Sequence, residues 1–63
     1  MKNNTLVFTA TYNESENIRN FLDKTLKVNN IDVLIIDDSS PDGTANIIKE
    51  YQINNKNLHL IER

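Results

Sequence analysis

The chain has no cysteine and no tryptophan, and only one glycine, one proline and one histidine. Without cysteine there is no disulfide framework, and with His59 alone there is no Cys/His zinc site. A cysteine-free chain fits a reducing compartment. With Gly43 as the only glycine, neither a P-loop nor a G-x-G-x-x-G fingerprint is possible. The formal net charge of −2 offers no basic footprint, so nucleic acid is not an expected partner. No apolar run approaches the roughly 20 residues that a membrane helix needs, and the amino terminus lacks the apolar core of a signal peptide. The expectation is a cytoplasmic chain without a transmembrane segment. Two N-x-S/T matches, at Asn3 and Asn13, are expected by chance in an asparagine-rich chain and mean nothing without a secretory route.

A chain of 63 residues makes one domain at most. It buries only about 60% of its unfolded surface, so its core is marginal. Chains of this size without disulfides or metals usually assemble with something else.

What is present is organised around Val33-Leu34-Ile35-Ile36-Asp37-Asp38-Ser39-Ser40-Pro41-Asp42-Gly43-Thr44. A continuous apolar run suits a strand buried on both faces of a parallel sheet. Ser40-Pro41-Asp42-Gly43 reads as a turn, with Asp42 or Thr44 as a cap for the next helix. Asp37 and Asp38 then sit at the carboxyl end of a central strand, where open α/β sheets bind ligands. A helix cap and a solvated loop acid would account for one aspartate. Two at a strand tip favour a binding site.

Met1–Asn4 is a polar lead, and residues 5–10 form a β-rich run that predicts the first strand. Residues 11–14 follow as a loop. Asn13 with Glu16 three residues later resembles a capping box. Ile18, Phe21, Leu22, Thr25 and Leu26 recur at helical spacing, which predicts an amphipathic helix over about residues 14–28. Asn29-Asn30 ends it, and a second strand takes residues 32–37. A second helix runs from about Thr44 to Gln52 with Ile47, Ile48 and Tyr51 as its inward stripe. Residues 54–57 turn the chain into a third strand at 58–61. The fold class is α/β, with the order β-α-β-α-β and parallel strands joined by right-handed crossovers.

If both crossovers lead the same way, both helices cover one face. The other face, with Val7, Leu34 and Ile36 available to it, is left without cover. Parallel sheets are normally buried on both faces, and open edges are a liability. The expectation is the opening of a larger domain, with self-association through the open sheet as the alternative.

At the strand tips, Tyr12 and Glu14 should lie near Asp37 and Asp38. Such a site repels phosphate unless a cation intervenes. It welcomes hydrogen-bond donors, because ionised carboxylates only accept. Ribose hydroxyls and the N–H edges of guanine or uracil are donors of that kind. Stacking of a base on Tyr12 would contribute about 1–3 kcal/mol, whereas the plainer reading buries Tyr12 as a core aromatic. His59 is expected to play an ordinary surface or core role, and Lys24, Lys27 and Lys49 to line solvated helix faces.

Thr11-Tyr12-Asn13-Glu14, Glu16-Asn17-Ile18 and Ile35-Ile36-Asp37-Asp38-Ser39-Ser40-Pro41-Asp42-Gly43-Thr44-Ala45 together resemble the start of family 2 glycosyltransferases. The likeness is greatest to the dolichol-phosphate (polyprenyl-phosphate) mannosyltransferase branch, whose third strand Leu58–Arg63 also resembles. The resemblance implies that residues 1–63 are the amino-terminal part of a GT-A domain, a Rossmann-like sheet that binds a nucleotide-sugar. It assigns base and ribose contacts to the positions of Tyr12, Glu14, Ile36 and Asp38, with Asp37 as a neighbour shaping the pocket. Ala10 stands where the family normally carries proline, which loosens the approach to the base. The implied partners are a GDP- or UDP-linked donor and a polyprenyl-phosphate or other glycan acceptor, met in the complete enzyme at the cytoplasmic face of a membrane. The implied cofactor is a divalent cation, Mg or Mn, held in the complete enzyme by a downstream D-x-D motif. These 63 residues contain neither that motif nor the catalytic groups, so alone they are expected to bind no metal and transfer no sugar. A rival of another class is a non-catalytic nucleotide-binding or interaction module completed by a partner chain. A signalling receiver domain also places an acidic pair after a strand. It requires an aspartate after the third strand, where this chain has Glu62-Arg63.

Overall fold

The computed structural model describes residues 5–63. The polar lead Met1–Asn4, and with it the sequon at Asn3, lies outside the described residues. Strand β1 (Thr5–Thr11) is followed by helix α1 (Ser15–Thr25), strand β2 (Ile31–Asp37), helix α2 (Thr44–Asn54) and strand β3 (Leu58–Glu62). The three strands form one sheet in the order β1-β2-β3, and both pairings are parallel. The expected β-α-β-α-β order is therefore the observed one.

Register decides which side chains meet the helices. Val7 pairs with Val33 and Thr9 with Ile35, while Leu58 pairs with Val33 and Leu60 with Ile35. Because strand side chains alternate between faces, these positions share one face with Ile31 and Asp37. Ile18 and Leu22 of α1 and Ile48 of α2 pack there against Ile31, Val33, Ile35 and Leu58. Phe21, Leu26, Ile47 and Tyr51 complete the margin of this core. The two helices also touch each other, and α2 lies along β3. An exposed Arg19–Glu50 pair at 3.3 Å joins the helices, as does the Tyr51 hydroxyl donating to Asp23 at 2.8 Å.

The opposite face carries Leu6, Phe8 and Ala10 of β1, Asp32, Leu34 and Ile36 of β2, and His59 and Ile61 of β3. Leu6, Phe8 and Ile61 remain 49%, 59% and 48% exposed there. Among the described residues no helix packs on this face, although Asp32 is buried there and Leu34 and Ile36 are half-buried; Val7 does not belong to it. Val7 is in register with Val33 and packs against the covered core; Phe8, paired with Leu34, takes its place. The one polar island on this face is Asp32, whose Oδ1 meets His59 Nε2 at 3.1 Å. That contact is the structural role expected of His59.

Several boundaries differ from the sequence pattern. Helix α1 ends at Thr25 rather than near 28, because the chain breaks into a turn in which Val28 N–H bonds the Thr25 carbonyl at 3.1 Å. Asn13 is not its cap. It has φ 53°, a left-handed conformation that asparagine tolerates, and Glu14 takes the N-cap position without a side-chain bond of its own. Strand β1 extends through Thr11 because Thr11 is in register with Asp37. Lys49 is exposed, as expected, and pairs with Glu62 at 3.0 Å.

Candidate functional site at the strand tips

Thr11 and Asp37 are the last paired residues of β1 and β2, and the bond from Asp38 N–H to the Thr11 carbonyl, at 3.0 Å, carries the ladder one step further. Asp37 and Asp38 then part company. Asp37 is 1% exposed and points to the helix side. Its Oδ1 accepts from the Thr11 hydroxyl at 2.7 Å and from the Ser40 hydroxyl at 2.6 Å. Its Oδ2 accepts from Ser40 N–H at 3.1 Å. Burial raises the pKa of this carboxyl, but the Ser40 and Thr11 hydroxyls and the Ser40 N–H outweigh it and hold the group below the usual carboxylate range. Asp37 is therefore occupied by the protein itself. Asp38 is exposed.

The reversal that follows Asp38 is made by Ser39, whose φ of 53° is left-handed. That turn brings Ser40 back onto Asp37, and the Ser39 hydroxyl donates to the Arg63 carbonyl. Gly43, with φ 87°, makes the second reversal where a side chain would be strained; it is the N-cap of α2.

Asp42 sits between the two helix starts. Its Oδ1 accepts from Thr44 N–H at 3.1 Å and from the Thr44 hydroxyl at 2.5 Å, both in the first turn of α2. Its Oδ2 accepts from Ser15 N–H, the first residue of α1, at 3.0 Å. The Thr44 hydroxyl is the leading cause that lowers its pKa to about 2, with the Ser15 bonds adding to it. Neither residue the sequence offered as a cap for α2 holds the N-cap position, which is Gly43; Asp42, one residue earlier, still satisfies the Thr44 N–H with its side chain, and Thr44 is already helical. The bond from Ser15 of α1 to Asp42 had no local signature.

All six residues singled out in the sequence lie at the same end of the sheet, but only Ala10, Tyr12, Ile36 and Asp38 stand on its uncovered side. Ala10 is exposed and pairs with the half-buried Ile36 on the bare face. Tyr12 and Asp38 are the first residues beyond the ends of the same two strands. Tyr12 is 58% exposed, so it is not a core aromatic. Glu14 is half-buried and lines a cleft of about 270 Å³ between β1 and α1 at the margin of the helix side, together with Thr9, Thr11, Asn17, Ile18 and Phe21. Asp37, the sixth, lies behind them on the helix side. Ser40, Thr44 and Thr11 were not foreseen as organisers of this end; only their proximity to the aspartates hinted at it.

Chemically, this end presents an aromatic ring and carboxylates, which suit donors such as sugar hydroxyls and base N–H groups. Neither helix start is open to an anion, because the Asp42 carboxylate lies at both. Among the described residues, no group of three or more His, Cys, Asp or Glu side chains is placed to hold a metal ion. These residues therefore do not fit the divalent cation that the family resemblance implies. No helix among them is long and apolar enough to cross a membrane.

The family model described as Glycosyl transferase family 2 matches residues 6–63. No curated protein and no solved structure matches the chain. The open sheet of three parallel strands is consistent with the start of a GT-A, Rossmann-like domain.

Proposed function

The chain belongs to glycosyltransferase family 2, and we propose that Tyr12, Glu14, Ile36 and Asp38, with Ala10 beside them, form the nucleoside-binding part of its nucleotide-sugar donor site. The observation that carries this reading is the exposure of Tyr12 and Asp38 at adjacent strand tips. Tyr12 offers a stacking surface for the base, and the Asp38 carboxylate accepts from ribose or base donors. Asp37 shapes the pocket from behind without touching the ligand.

The proposed reaction of the complete enzyme is hexosyl transfer, specifically mannosyl transfer from GDP-mannose or a related donor to a polyprenyl phosphate. An acceptor phosphate oxygen forms the new bond to the sugar as the bond to the nucleoside diphosphate breaks. A Mg or Mn ion and the acceptor-binding groups belong, in this proposal, to segments outside these 63 residues, and the enzyme works at the cytoplasmic face of a membrane. The 63 residues alone turn over no donor.

Ligand-observed NMR with GDP and UDP tests the site. Weak binding is expected, reduced by Asp38→Ala and by Tyr12→Ala. Equal signals from the native chain and both variants would remove the assignment.

The bare sheet face favours a second reading, a non-catalytic module completed by a partner chain. Exposed Leu6, Phe8 and Ile61 form the kind of apolar surface that marks interaction sites. Light scattering that shows a well-folded monomer across dilution would argue against it.

A further inference from the structure

Three consecutive backbone N–H groups at the approach to and start of α1 donate to three side chains of the segment that runs from the loop after β2 into the first turn of α2. Asn13 N–H donates to Ser40 Oγ at 3.0 Å, Glu14 N–H to Thr44 Oγ1 at 3.0 Å, and Ser15 N–H to Asp42 Oδ2 at 3.0 Å. Each acceptor is itself fixed. The Ser40 hydroxyl donates onward to Asp37 and the Thr44 hydroxyl to Asp42. The acceptors stand at alternate positions, 40, 42 and 44, so Ser-x-Asp-x-Thr forms a comb against one short stretch of the other loop.

We infer that Ser40, Asp42 and Thr44 are positioning residues, a clamp that sets Tyr12 and Glu14 of one loop against Asp38 of the other. The inference rests on the proposed donor site. Thr44 is 0% exposed and Asp37 1% exposed, so neither can reach a ligand. Both instead fix hydroxyls whose lone pairs receive the opposite loop. A hydroxyl is required at 44 because one atom must accept from Glu14 and donate to Asp42 in the same geometry, which no apolar side chain of equal shape can do. The acidic motif thus divides its labour. Asp38 is left free for a ligand, while Asp37 and Asp42 hold the frame.

The test compares Thr44→Val, Thr44→Ser and Ser40→Ala in the full chain, with GDP and UDP titrations by NMR and amide hydrogen exchange read together. Thr44→Val keeps the shape and removes the hydroxyl. It should speed exchange at Glu14 and Ser15 and weaken nucleotide binding by about five- to tenfold, the part of the two hydrogen bonds lost with that hydroxyl that reaches the site. Thr44→Ser should restore both. Ser40→Ala, the milder change, should speed exchange at Asn13 and weaken binding less. The core variant Ile48→Val, matched for stability loss, should leave nucleotide affinity unchanged wherever it is fully folded. Binding by Thr44→Val and Ser40→Ala as tight as that of the native chain, with Asp38→Ala defective, overturns the clamp and leaves the donor site standing. An equal loss of affinity in Ile48→Val also overturns it, because general stability would then explain the effect. If the native chain bound neither nucleotide, the donor site itself would fail, and the clamp as a positioning device would fail with it.

Discussion

The two faces of the sheet are built from the same three strands and differ in almost everything else. On the helix side Val33 and Ile35 are fully buried, sealed by Ile18, Leu22 and Ile48. On the other side Phe8 and Ile61 are about as apolar, yet roughly half of each is open to water. The covered face supplies the stability that a chain this small can muster. The bare face leads at its carboxyl end to Ala10, Ile36, Tyr12 and Asp38. A one-residue step along a strand therefore moves a side chain from the frame to the candidate site, and Asp37 with Asp38 is that step in its sharpest form.

Truncation on the two faces should give the largest contrast. Ile35→Ala opens a cavity where nothing can collapse to fill it, and such changes cost about 2–5 kcal/mol. In a domain whose core is marginal, that should leave the chain mostly unfolded at room temperature. Phe8→Ala removes a larger side chain that is 59% exposed, and it should cost less than about 1 kcal/mol. Urea titration followed by circular dichroism measures both. Equal losses would break the comparison, because they would mean that Phe8 is covered in solution by something else.

How much of this was legible follows the same division. The covered face announces itself in periodicity: Ile18, Leu22 and Ile48 recur at helical spacing, and the apolar run of β2 marks the central strand. The strand-tip location of Asp38 follows from that strand alone. Parity between strands did not follow. Val7 and Leu34 both read as candidates for the bare face, and only the register, Val7 opposite Val33, separates them. The clamp was hidden for a related reason. Ser40, Asp42 and Thr44 have ordinary turn and cap signatures, but their partners are Asn13, Glu14 and Ser15, close to 30 positions away. Local rules named Asn13 as a cap; tertiary contacts instead turned it left-handed and gave α1 its acceptor from another loop.

Neutralising the paired aspartates sharpens the comparison at a single step of the chain. Asp37→Asn leaves one oxygen to serve three donors and turns an amide N–H₂ toward hydroxyls or the Ser40 N–H. A buried mismatch of this kind costs about 1–3 kcal/mol. Asp38→Asn is a change at an exposed carboxylate, and its effect on stability should stay within about 0.5 kcal/mol. Its nucleotide affinity should nevertheless fall, while Asp37→Asn should lose affinity only as far as the loops move. Thermal unfolding of the two variants beside nucleotide titrations separates the roles. Similar stability losses in both would put the two carboxylates in one environment and erase the distinction.

The smallest expected effect is on acid stability, and its sign follows from the two carboxylates of the frame. The pKa of Asp42 is lowered in the fold from 3.8 to about 2, and that of Asp37 is lowered as well. A carboxyl whose folded pKa is depressed stabilises the fold above its unfolded pKa, and that contribution is lost as pH falls through the folded value. Stability should therefore hold steady from neutral pH down to about 4 and decline between about 4 and 2. Asp42 stands in solvent, where screening weakens such contributions, so its share of the decline should be modest. Asp42→Asn should be less stable than the native chain at pH 6 and should lose less between pH 4 and 2, the two urea midpoints converging in acid. Parallel decline of both chains would show that Asp42 does not hold the two helix starts together through its charge, and that the cross-loop frame is carried by the neutral hydroxyls of Ser40 and Thr44.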